Sequence, residues 1–156
     1  MIGGTDNKVG SSSFGQRDVF VTRYDADGTN QKIVQLGGAG YDEAVDIILD
    51  KNQVPYILVT LDNKAGYAVY KGDPATFRFT KLAIRTFGFT VPKSLAVDSL
   101  GNLYVMSQFV ANRVEIDKYS SSLLFVGSLT ASPLSLGVRP LDLRVDNDTL
   151  YVSYAT

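Results

Sequence analysis

Ile47-Ile48-Leu49-Asp50, Leu95-Ala96-Val97-Asp98 and Leu143-Arg144-Val145-Asp146 are one pattern written three times, with equal intervals between successive aspartates. In each copy the apolar run stops at the Asp, turns, and starts again. The second runs are Pro55-Tyr56-Ile57-Leu58-Val59, Leu103-Tyr104-Val105-Met106-Ser107 and Leu150-Tyr151-Val152-Ser153. The turn of the third copy is one residue short, so its second run comes one position early. A third run keeps the register: Val19-Phe20-Val21-Thr22-Arg23-Tyr24, Tyr67-Ala68-Val69-Tyr70-Lys71-Gly72 and Val114-Glu115-Ile116-Asp117-Lys118-Tyr119. Val21, Val69 and Ile116 share one position, and Arg23, Lys71 and Lys118 share another. A looser fourth run covers 32–36, 77–84 and 123–129. The runs alternate with period two and are bounded by turn residues, which is the pattern of strands. The unit is four short antiparallel strands repeating every ~48 residues, the size and content of one β-propeller blade.

Composition agrees with an all-β chain. The 156 residues are enough for one domain with a buried core. Fourteen Gly, nine Tyr and eight Phe accompany abundant Val, Leu and Thr, and no window sustains helical spacing. Such a small sheet is apolar on both faces, so neither can be left to water. Radial stacking buries both faces against neighbouring blades. On the first strands, Ile47, Leu95 and Leu143 point one way, and Ile48, Ala96 and Arg144 the other.

Other classes are excluded by what is missing. The chain has no Cys and no His, which removes disulfides, thiol nucleophiles, Ser-His-Asp chemistry and the common zinc sites. Fifteen basic against sixteen acidic residues give a net charge of −1. That balance offers no reason to expect nucleic acid or an anionic membrane surface. No apolar stretch is long enough to insert as a helix. Met1-Ile2-Gly3-Gly4 lacks the basic start and apolar core of a signal peptide.

The stretch Asp18-Val19-Phe20-Val21-Thr22-Arg23-Tyr24-Asp25-Ala26-Asp27-Gly28, followed by Leu36-Gly37-Gly38-Ala39-Gly40-Tyr41-Asp42-Glu43-Ala44, resembles the bacterial SBBP type of β-propeller repeat. Ile2-Gly3-Gly4-Thr5-Asp6 is similar to the end of the preceding strand of that repeat. Pro92-Lys93-Ser94-Leu95-Ala96-Val97-Asp98-Ser99-Leu100-Gly101-Asn102-Leu103-Tyr104-Val105 and Asn112-Arg113-Val114 resemble an NHL-type repeat. The double-Gly loop is not repeated before Pro92 or Pro140. These resemblances imply a propeller and a binding or scaffold role, not a shared catalytic set. They also imply an extracellular or cell-surface protein.

The expected organisation is a single β-propeller domain or propeller fragment over 1–156: a partial blade at 1–37, full blades at 38–85 and 86–131, and a partial blade at 132–156. That is twelve strands, or three blade equivalents, where closure takes roughly four to eight blades. Either the ring continues in a longer protein, or copies assemble into it. In the second case a dimer gives a six-bladed ring. Its seam pairs Leu150, Val152 and Tyr154 of one copy with Val19, Val21 and Tyr24 of the next.

Candidate sites follow from the register. Asp46, Ser94 and Asp142 occupy one position on the innermost strands, with Arg144 beside them, and are expected to face the channel. They would bind a ligand there. Two carboxylates could otherwise serve as the acid and base of a glycosidase or hold a cation. The cations Arg23, Lys71 and Lys118 form a ladder, expected to be solvated and paired with acids such as Asp25, Asp73 and Asp117. Asp25-Ala26-Asp27-Gly28 is read as a hairpin turn, since no Glu follows at calcium-loop spacing. Gly37-Gly38-Ala39-Gly40 is read as a crossing between blades, since no Lys-Ser/Thr follows. Lys71-Gly72-Asp73 falls at a turn. Asn147-Asp148-Thr149 is a glycosylation sequon in another. The Ser/Gly-rich segment 6–16 is the main insertion.

The sequence therefore predicts a non-catalytic module that presents loops to a protein or glycan partner, with no cofactor and no metal. A channel hydrolase using Asp46 and Asp142, and a structural block of a surface assembly, are the competing readings.

Overall fold

The computed structural model describes residues 1–6, 14–62, 66–86, 90–109, 113–131, 139–146 and 148–155. Among them thirteen strands form four antiparallel sheets, none closed on itself. The first sheet holds β1 (Ile2–Thr5), β2 (Asp18–Tyr24) and β3 (Asn30–Leu36). The second holds β4 (Glu43–Leu49), β5 (Pro55–Leu61), β6 (Gly66–Gly72) and β7 (Phe79–Thr86). The third holds β8 (Thr90–Val97), β9 (Leu103–Phe109), β10 (Arg113–Tyr119) and β11 (Phe125–Ala131). The fourth is the pair β12 (Arg139–Asp146) and β13 (Thr149–Ala155). Strand order follows chain order within every sheet.

The count is one higher than the twelve strands expected. Ile2, Gly3, Gly4 and Thr5 pair with Val21, Phe20, Val19 and Asp18, and the N-terminal amine extends the ladder to the Thr22 carbonyl at 3.0 Å. This bears on the seam expected between copies. Both edges of β2 are filled, by β1 and by β3. Residues 150–154 of another copy reach Val19, Val21 and Tyr24 only by displacing β1.

The sheets stack face to face in chain order, and period-two alternation divides each middle strand between two cores. All seven residues of β5 are buried. Ile57, Val59 and Leu61 pack towards the first sheet, against Val19, Val21 and Leu36. Tyr56 and Leu58 pack the other way, against Leu95, Leu103 and Val105. The third sheet repeats the division: Leu103 and Val105 face back, while Tyr104 and Met106 face forward to Leu143. Full burial of each such aliphatic side chain contributes roughly 1.5–3 kcal/mol. No sheet keeps that contribution without its neighbour. Among the described residues the last sheet has a neighbour on one side only, and Leu141 and Tyr151 on its other face are each 57% exposed.

The aspartates of the opening pattern build turns. Asp50 Oδ1 accepts from the amides of Asn52 (2.8 Å) and Val54 (2.9 Å). Asp98 Oδ1 accepts from Leu100 (2.9 Å) and Asn102 (2.8 Å). The residue three further on is left-handed in both turns: Gln53 at φ 62° and Gly101 at φ 85°. In the shorter third turn Asp148 takes that conformation, at φ 63°. Asp25-Ala26-Asp27-Gly28 is also a turn, closed by Gly28 N–H to the Asp25 carbonyl at 2.9 Å, with Gly28 at φ 86°. Lys71 and Gly72 end β6, and Asp73 opens the next turn by accepting from the Ala75 and Thr76 amides. Asn112, Asn147 and the stretch 7–13 lie outside the described residues.

Candidate functional site

The three equivalent positions Asp46, Ser94 and Asp142 come together. A bulge aims each of them. Pairing of β4 with β5 skips Val45, pairing of β8 with β9 skips Lys93, and pairing of β12 with β13 skips Leu141. A bulge puts two residues opposite one and turns the next side chain off the regular alternation. Here the re-aimed side chains meet at the contact between the first strands of successive sheets.

Ser94 is the hub and is buried, at 1% exposure. Its Oγ lies 3.1 Å from Asp46 Oδ2 and 2.9 Å from Asp142 Oδ1. A hydroxyl has one hydrogen to donate, so it serves one carboxylate at a time. The backbone completes the set. Leu95 N–H donates to Asp46 Oδ2 at 2.9 Å, and Leu143 N–H donates to Ser94 Oγ at 3.2 Å. Asp46 and Ser94 thus each accept an amide from the following sheet. Asp46 and Asp142 also accept from their own next residues, Ile47 (2.8 Å) and Leu143 (2.9 Å). Asp142 has no following sheet among the described residues, and its Oδ2 pairs with Arg144 Nη2 at 3.0 Å. That ion pair is open to solvent, with side-chain exposures of 66% for Arg144 and 41% for Asp142. A cavity of 180 Å³ among Ile48, Leu95, Val97 and Arg144 adjoins it.

What can this arrangement do? Because one hydroxyl touches both carboxylates, their nearer oxygens are at most about 6 Å apart, a range that includes the roughly 5–5.5 Å used by retaining glycosidases. The space between them, however, holds the serine hydroxyl, where a sugar would have to lie. Asp46 and Asp142 are occupied in tying sheets together, and Arg144 is the exposed group beside them. Among the described residues no group of three acidic side chains is placed to hold a metal ion.

The cation ladder is placed differently from expectation. Lys71 lies 5.6 Å over the Tyr56 ring and Lys118 5.1 Å over the Tyr104 ring. Each is the directly opposite residue on the neighbouring strand. Arg23 lies 5.2 Å over Phe77 and donates to the Pro74 carbonyl at 2.8 Å, both beyond the first sheet. Asp117, expected at the surface as a partner for such cations, is instead 3% exposed and pairs with Arg85.

Arg85 and Asp117 belong to a second polar cluster that sequence reasoning missed. Arg85 on β7 reaches Asp117 and, at 2.7 Å, Glu115 on β10 of the next sheet. Asp117 also accepts from the Tyr67 hydroxyl and from Ser128 Oγ, both at 2.6 Å. The Tyr67 and Tyr119 hydroxyls are 2.8 Å apart. Burial, first of all, pushes the Tyr67 hydroxyl far above its ordinary range, with Tyr119 adding to it. Tyr67 is therefore a standing donor. The alternation Val114-Glu115-Ile116-Asp117 reads as a strand with one wet face, yet that face is the one covered by the second sheet.

Among the described residues, three clefts between successive sheets each contain one rung of the ladder. One of 620 Å³ holds Arg23, one of 710 Å³ holds Lys71, and one of 380 Å³ holds Lys118. Gln53, Asp73 and Asp148 line them in turn, which places all three at the end of the molecule that carries the turns after β4, β6 and β12.

No family model and no curated protein matches this sequence, so the SBBP and NHL resemblances find no support there. Among solved structures, a crystal structure of a protein from Lactobacillus plantarum is similar, with a TM-score of 0.57 and 20% identity over 88% of this chain. This chain spans 44% of that protein's length. The likeness is one of fold.

Proposed function

We propose that the chain is a non-catalytic module of the β-propeller type, an arc of blades that takes a protein or glycan partner on its turn-bearing end. The observation that carries this reading is the row of three clefts, each with a cation of the Arg23, Lys71, Lys118 ladder on its wall. Equivalent clefts at regular intervals suit a partner with repeated anionic groups. The commitment of Asp46 and Asp142 to Ser94 and backbone amides supports a structural role for these carboxylates. The stacking of the four sheets and the SBBP resemblance of residues 18–44 support the propeller reading.

Titration against arrays of acidic and neutral glycans and acidic peptides tests the proposal. The variant pair Lys71→Glu and Lys118→Glu is expected to weaken binding about tenfold or more, with steep salt dependence in the parent. A glycosidase activity lost in Asp46→Asn, with folding intact, would overturn it in favour of a channel hydrolase.

A further inference from the structure

We propose that Asp18 and Asp42 share a single proton, held between Asp18 Oδ1 and Asp42 Oδ2, and that this proton fastens the crossing from the first sheet to the second.

Both carboxylates are buried, Asp18 at 1% exposure and Asp42 at 0%. Asp18 Oδ2 accepts from Phe14 N–H at 2.8 Å and from Gln35 Nε2 at 2.7 Å. Its Oδ1 is buried with no hydrogen-bond partner. Asp42 Oδ1 accepts from Asp62 N–H at 3.2 Å, and Asp42 Oδ2 accepts from Gly38 N–H. The loop 37–40 passes directly over the two acids. A Cβ built on Gly37 would collide with Asp18 Oδ1 and lie 2.8 Å from Asp42 Oδ2, so both oxygens face the same bare Cα. Two buried acceptor oxygens turned to one spot, one of them lacking any donor, call for a hydrogen between them.

Among the described residues the cations nearby are engaged by other groups. Arg17, one residue before Asp18, directs its guanidinium to Asp6 and Glu43. Lys81 of β7 sits 5.4 Å over the Tyr70 ring. Tyr70 of β6 is a neutral phenol: burial pushes it up, Lys81 pulls it part of the way back, and Asp42 and Asp18 push it up again. Asp62, past the end of β5, adds a third negative charge. Burial raises Asp42 above the ordinary carboxylate range, the amides of Gly38 and Asp62 pull it back, and the charges of Asp62 and Asp18 raise it again.

The sign follows from linkage. The folded protein holds the proton to higher pH than the unfolded chain, so the contribution to stability is complete at low pH. It is lost as pH rises through the folded-state value. Over that window the unfolding constant rises by up to about tenfold per pH unit.

Asp18→Asn is the decisive variant. Its amide nitrogen replaces Oδ1 and donates permanently to Asp42 Oδ2, while its oxygen keeps Phe14 and Gln35. Urea unfolding of the whole chain between about pH 4 and pH 8 should show parental stability falling with pH relative to Asp18→Asn. Infrared spectra at pH 6 should show a protonated carboxyl carbonyl band in the parent that Asp18→Asn lacks. Equal pH slopes in the two proteins, or no such band in the parent, would overturn the proposal. So would a midpoint at neutral pH that calcium raises in the parent alone, since a cation would then hold the pair. Should Asp18→Asn fail to fold, the infrared band in the parent still decides.

Discussion

Asp98 accepts four hydrogen bonds, from the amides of Leu100 and Asn102, from Asn102 Nδ2 at 2.7 Å and from the Tyr104 hydroxyl at 3.1 Å. Burial pushes this carboxyl up, but the bonds from Asn102, Tyr104 and Leu100 outweigh it, and the net shift is downward. A lowered carboxyl contributes stability above the ordinary aspartate range, and that contribution is lost as pH falls through the folded-state value. Asp98→Ala leaves four donors without their acceptor and is expected to cost about 2–3 kcal/mol in urea unfolding at pH 7. The parent-to-variant difference should shrink below about pH 4. The turn role of this residue was legible, because Asp followed by Asn or Gly between two apolar runs is a turn signal with a mechanism. The bond from Tyr104 was not, since it depends on how β9 rises beside the turn.

At the scale of elements, the strands and their order were readable and the aim of their side chains was not. Nothing in Val45, Lys93 or Leu141 marks a bulge, yet the bulges decide that Asp46, Ser94 and Asp142 converge. Equivalent positions in a repeated pattern pointed to these residues. Their actual work, tying one sheet to the next through hydroxyl and amide, required coordinates. The same gap explains Asp117. Alternation on β10 distinguishes two faces but not which is dry. Both are buried here, and the polar face meets Tyr67 and Arg85. Asp117→Ala strands the Tyr67 and Ser128 hydroxyls and weakens the hold on Arg85. Thermal unfolding should register a loss of about 3–5 kcal/mol, the usual cost of breaking a buried ion pair from one side. Asp25→Ala, in an exposed turn, should stay within about 1 kcal/mol.

For the molecule as a whole, stability is distributed by neighbours. Among the described residues the second and third sheets are covered on both faces, while the first and fourth are covered on one. The fourth is a two-stranded pair, and an isolated pair of strands is marginal in water. Hydrogen exchange should therefore find the strongest amide protection in β5, β6 and β9, and markedly weaker protection in β1, β12 and β13. Uniform protection across all four sheets would mean that the outward face of Leu141 and Tyr151 is covered in solution.

Residue order alone determined that this chain is all-β, that it folds as small sheets apolar on both sides, and where their turns fall. Those properties are local: alternation, turn chemistry and the regular return of one pattern are written along the chain. Tertiary structure decided which carboxylates are buried against which partners. Asp42 and Asp18, Asp117 and Arg85, and Asp46 and Ser94 are each far apart in the sequence, and they meet through the folding and stacking of the sheets. Whether an acid is paired, orphaned or wet depends on the face laid over it, which no single strand specifies.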